Sequence, residues 1–97
     1  MKEFEEFIRL AGQEKGRKLR VESSEGTSVL FENTGSSVLM YLGNKPLAHF
    51  RAEGSGFKAE PHASVPRDAW TCYQECVDAC GPNLICAHQC ATKCGIT

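Results

Sequence analysis

Residues 1–71 contain no cysteine, and all six cysteines of this 97-residue chain fall after them. No C-x2-C pair occurs, which removes the knuckle of common zinc and iron–sulfur sites and the thioredoxin-type redox motif. No apolar run approaches the roughly 18–20 residues a membrane-spanning helix needs. Excess charge of either sign is missing too: 11 basic and 12 acidic residues give −1, so no basic surface recommends nucleic acid as a partner. The start, Met1-Lys2-Glu3-Phe4-Glu5-Glu6, is acidic and lacks the basic and apolar regions of a secretory signal.

What is present divides into two unlike parts. Residues 1–60 are densely charged but balanced, whereas residues 61–97 carry only Arg67 and Lys93 against Asp68, Glu75 and Asp78. Phe4, Phe7, Ile8 and Ala11 recur at helical spacing and predict an amphipathic helix from Lys2 to about Gln13. Five short β-type runs follow: Leu19–Glu22, Ser28–Glu32, Val38–Leu42, Leu47–Ala52 and Phe57–Glu60, each separated by Gly, Asn or Ser turns. Regular spacing of such runs predicts an antiparallel meander. The expected fold class is α+β: a small N-terminal helix plus an antiparallel β-meander over residues 1–60, then a Cys-rich α-helical hairpin over 68–97. Pro61-His62-Ala63-Ser64-Val65-Pro66-Arg67 is bracketed by prolines and reads as a linker (61–67), with Arg67 open to proteolysis.

The cysteines are Cys72, Cys76, Cys80, Cys86, Cys90 and Cys94, or C-x3-C-x3-C-x5-C-x3-C-x3-C. A thiol every four residues lies on one helix face, rising about 6 Å and drifting about 40° per step. Asp68 or Thr71 is the expected cap of the first helix, Thr71 with Gln74 forming a capping box. Gly81-Pro82-Asn83 breaks that helix, Asn83 caps the second, and Gly95 ends it. The spacing is a palindrome about Asn83: the outer, middle and inner index pairs each sum to 166. Residues of constant index sum face each other in an antiparallel hairpin, so the expected bridges are Cys72–Cys94, Cys76–Cys90 and Cys80–Cys86. Among the 15 connectivities six cysteines permit, only this nested set uses the hairpin symmetry throughout. The hairpin has little apolar core of its own, and staples of about 2–4 kcal/mol each are the expected source of its stability. Ala79, Ala87 and Ala91 leave room for close approach.

The rival chemistry is metal. Reduced thiols at i and i+4 can share a soft ion, and Cys72, Cys76, Cys90 and Cys94 form the alternative ligand set for Cu(I) or Zn(II). His88 falls off the thiol face and is expected in solvent; His49 belongs to a strand and His62 to the linker. Trp70 and Tyr73, about one turn apart, pack inward or, as an exposed pair, form a binding surface for a membrane or protein target. Ser36 and Ser37 have no nucleophile-elbow context, and Gly54-Ser55-Gly56 lacks the Lys-Ser/Thr end of a phosphate loop. The sequence supports no enzyme.

Paired C-x3-C motifs, here Cys72/Cys76 and Cys90/Cys94, resemble those of plant α-hairpinins and of small mitochondrial intermembrane-space chaperones. This chain departs from both by its inner pair Cys80/Cys86, and Gly81–Ile85 offers no Lys or Arg to a trypsin-like protease. An N-terminal domain followed by a compact Cys-rich tail resembles bacteriocin precursors of the halocin C8 type. That resemblance implies an antimicrobial hairpin, a leader or immunity-like N-terminal part, and a processing protease or modifying enzyme as partner. Six cysteines suggest an oxidising compartment, which conflicts with the acidic start. Three arrangements reconcile the two: export or surface display by a non-classical or leader route, a signal that once preceded Met1, or a cytoplasmic chain with reduced or metal-bound thiols.

Overall fold

A computed structural model describes residues 5–54, 56–80 and 84–96 of the chain. Its elements are α1 (Glu5–Ala11), β1 (Lys18–Glu22), β2 (Ser28–Asn33), β3 (Val38–Leu42), β4 (Lys45–Glu53), β5 (Gly56–Pro61), α2 (Arg67–Cys80) and α3 (Leu84–Lys93). The order and class are those the periodicities require: a helix, a five-stranded antiparallel meander in sequence order, and a helical hairpin. Phe4 and the expected start of the first helix lie outside the described residues, as do Gly81, Pro82 and Asn83.

Strand alternation builds the sheet's inner face. Leu19 and Val21 oppose Phe31 and Val29, which oppose Met40 and Leu42; Met40 opposes Ala48, and Val38 and Ala59 flank Phe50. Because side chains alternate with period 2, these apolar residues project to one side, and Lys18, Arg20, Glu32, Arg51 and Lys58 to the other. The register shifts between Met40 and Tyr41, where Tyr41 faces Pro46. A proline has no N–H to give the ladder, so an irregularity there costs little. Gly43 (φ 60°) opens the two-residue turn from β3 to β4, a backbone conformation glycine adopts without strain.

The core is one cluster, and it draws on every part of the chain. Ile8 and Ala11 of α1 join Val29, Phe31, Met40, Leu42 and Phe50 of the sheet, together with Tyr73, Val77, Ala87, Cys90 and Ala91 of the hairpin. The expectation that the hairpin lacks apolar support is therefore corrected: it borrows a core from the sheet. Of the segment 61–67, Pro61 belongs to β5 and Arg67 to α2, while Val65 is buried in the common cluster. His62 N–H donates to the Leu47 carbonyl (2.8 Å) and Val65 N–H to that of His62 (2.9 Å), so the connection is a hydrogen-bonded turn.

Candidate functional site

The site is the ladder between α2 and α3. Three disulfides join the helices: Cys72–Cys94, Cys76–Cys90 and Cys80–Cys86, with Cα–Cα separations of 5.7, 5.8 and 6.1 Å. These are ordinary separations for bridged residues, and the pairing is the nested one of constant index sum. Ala87 and Ala91 are buried in the common core, while Ala79 faces solvent. Cys90 is 1% exposed and the other five sulfurs' residues are half-buried.

The start of α2 differs from what local signals suggest, whereas Gly95 ends α3 as expected. The first helical bond of α2 runs from Trp70 N–H to the Pro66 carbonyl (3.0 Å), which makes Pro66 the cap and leaves Thr71 inside the helix. Asp68 stands in the first turn, where its charge favours the helix dipole. Starting the helix at Arg67 brings Trp70 into the core, and that burial outweighs the capping box. At the far end, Ile96 N–H donates to the Ala91 carbonyl (2.8 Å) and Gly95 N–H to that of Thr92 (3.1 Å). With Gly95 at φ 78° and Ile96 buried, this is a Schellman termination.

Neighbouring rungs touch. Cys80 Sγ lies 3.5 Å from Cys90 Sγ. Both sulfurs are bonded within disulfides, so no proton lies between them and the contact is one of van der Waals type. The sulfurs of Cys76, Cys80 and Cys90 all fall within 4.8 Å of one another, the group of metal-capable ligands present among the described residues. The four-thiol set Cys72, Cys76, Cys90 and Cys94 is not that group: it takes in the outer rung and omits Cys80, whose sulfur reaches across to Cys90.

Trp70 and Tyr73 stack at 6.0 Å with an 18° interplanar angle, and they are 7% and 0% exposed. In the intact chain they are core residues rather than an exposed binding pair, since the sheet supplies apolar surface for both. An open cleft of about 710 Å³ beside β5 reaches the edge of Trp70, lined also by Lys58, His62, Arg67 and Thr71.

His88 corrects a second expectation. It is half-buried, with Nε2 2.8 Å from the Ser28 carbonyl at the start of β2. His49 and His62 meet as well, their rings stacked at 5.8 Å on the sheet's outer face. His49 Nδ1 bonds Ser37 Oγ at 3.2 Å, and His62 Nδ1 bonds Ser64 Oγ at 2.8 Å. Partial burial, then His62, then Arg51 push the His49 pKa down, with Glu60 opposing. The register places Glu60 opposite His49, and His62 follows two residues on along the same face; spacing in one strand could not show it.

The ladder and the shared core define an α+β protein with a Cys-rich, disulfide-bonded helical hairpin. Compared with known families, characterised proteins and solved structures, the chain matches none. The disulfides are compatible with an oxidising, extracellular setting. Among the described residues, no helix is long and apolar enough to cross a membrane.

Proposed function

We propose that the chain is a masked precursor of bacteriocin or antimicrobial type. Its effector is the disulfide-stapled hairpin, and its α+β part is the cover. The observation that carries this reading is burial: the hairpin's apolar face, with Tyr73, Val77, Ala87 and Ala91, lies in the common core. Beside that covered face, Ala63, Ser64, Pro66 and Arg67 of the connection are exposed. Cleavage there by a processing protease separates cover from effector. The three bridges then hold the hairpin together after its borrowed core is gone, and Trp70 and Tyr73 become available to a membrane or protein target. Lys93 against Asp68, Glu75 and Asp78 leaves the released part slightly acidic. Its target contact is therefore apolar and aromatic rather than an electrostatic attack on anionic lipid. Secretion by a leader-type route fits the oxidised ladder.

The test is limited proteolysis of the oxidised full chain, with the fragments assayed for vesicle binding and for inhibition of bacterial growth. Cleavage within residues 61–67 should release a hairpin that retains three disulfides and is active where the intact chain is inert. An intact chain that resists cutting there and is itself the active form overturns the proposal.

A further inference from the structure

The disulfide sulfurs of Cys76, Cys80 and Cys90, on two facing helices, lie within 4.8 Å of one another and become soft thiolate donors only on reduction. We propose that the reduced chain binds one Cu(I) ion through the thiolates of Cys76, Cys80 and Cys90. This rests on the ladder's geometry and not on the precursor reading.

The scaffold is the first part of the argument. If disulfides alone held α2 against α3, reduction would scatter the sulfurs. They do not act alone: Tyr73 and Val77 on α2, and Ala87 and Ala91 on α3, are buried in the core shared with the sheet. Cys76 precedes Val77 by one residue and Cys90 precedes Ala91, so the thiol-bearing backbones are held by that packing. The hydrogen bond from His88 to Ser28 ties α3 down again, two residues before Cys90.

The chemistry balances with a dithiol as reductant. Three dithiols cleave the three bridges, one each. Each gives two electrons and two protons to its bridge and becomes a disulfide itself, leaving six thiols on the chain. Cu(I) then displaces the protons from Cys76, Cys80 and Cys90. Three protons go to solvent, three copper–sulfur bonds form, the copper remains monovalent, and Cys72, Cys86 and Cys94 stay thiols. Metal–thiolate bonds of about 2.3 Å put the sulfurs of a trigonal site about 4 Å apart. Cys80 and Cys90, at 3.5 Å, already stand near that spacing. Ligand number selects the metal: zinc takes four donors in a closed site, whereas this group offers three soft ones, as a monovalent soft ion prefers.

The experiment uses the full chain, reduced with a dithiol that is then removed anaerobically. Cu(I) is titrated against a chromophoric competitor, with native mass spectrometry, near-ultraviolet charge-transfer absorbance and circular dichroism as readouts. One copper per chain is expected, with helical signal retained. Cys80→Ser should weaken binding by on the order of 100-fold or more, above what loss of an outer-shell partner does. The double variant Cys72→Ser/Cys94→Ser should bind like the parent. The proposal is overturned if no copper binds, if the reduced chain loses its helices, if Cys80→Ser binds unchanged, or if the outer-pair variant is weakened equally. A four-thiol Zn(II) complex held in preference to Cu(I) overturns it as well.

Discussion

His88 on α3 donates a hydrogen bond from Nε2 to the carbonyl oxygen of Ser28, the first residue of β2, over 2.8 Å. A carbonyl only accepts, so this contact assigns the neutral imidazole its Nε2–H tautomer. It is a polar tie between hairpin and sheet across 60 residues of sequence. Replacing His88 with Leu removes one of that carbonyl's two donors and leaves it the Gly43 N–H at 3.1 Å. The expected loss is that of one hydrogen bond, about 0.5–1.5 kcal/mol in denaturant unfolding of the oxidised protein. A variant as stable as the parent would show that water replaces the imidazole at no cost.

One cluster joins sheet and hairpin, so damage to one should be felt in the other. Phe31 on β2 is fully buried, and Trp70, the only tryptophan, reports from α2. Phe31→Ala is expected to cost about 3–5 kcal/mol. The loss should be visible in Trp70 fluorescence as a single transition that coincides with the loss of β-sheet signal. Two separate transitions would mean that sheet and hairpin unfold independently.

Nesting limits what any one bridge contributes. With Cys76–Cys90 in place, removing Cys72–Cys94 frees only the short segments beyond it, not the full separation of 22 residues. Cys72→Ser/Cys94→Ser should therefore cost about 2–3 kcal/mol by loop entropy. Full reduction should cost more, yet leave the helices docked on the sheet. Circular dichroism with and without a dithiol decides the point, and complete loss of helix on reduction would show that the staples outweigh the core.

Acid should act through His49. Its folded pKa lies below the ordinary 6.5 because of partial burial first, then His62 and Arg51, with Glu60 pulling the other way. Below 6.5 the unfolded chain binds a proton that the folded chain resists, so stability is full above that pH and declines as pH falls through the lowered folded value. The ring should titrate below 6.5 by NMR. His62→Ala should raise it only part of the way, since burial is the larger cause. His49→Gln should flatten the acid limb of the stability profile.

Much of this was legible in the residues themselves. Cysteines every four residues, with a constant index sum across Asn83, specify an antiparallel ladder because helix geometry turns that spacing into one face and the palindrome into opposed pairs. Alternation in Val29–Phe31 and Val38–Met40–Leu42 specifies strands with an apolar side for the same kind of reason: a backbone period read directly from neighbouring positions. Both are local or symmetric patterns, and sequence carries them whole. Which apolar surface covers which is not such a pattern. That Trp70 and Tyr73 turn inward, that α2 is capped at Pro66 rather than at its capping box, and that His88 finds Ser28 were decided by burial over the whole chain. A hairpin stapled on one face and apolar on the other takes its lowest free energy against the open face of the meander, and that choice appears only when all the elements are present at once.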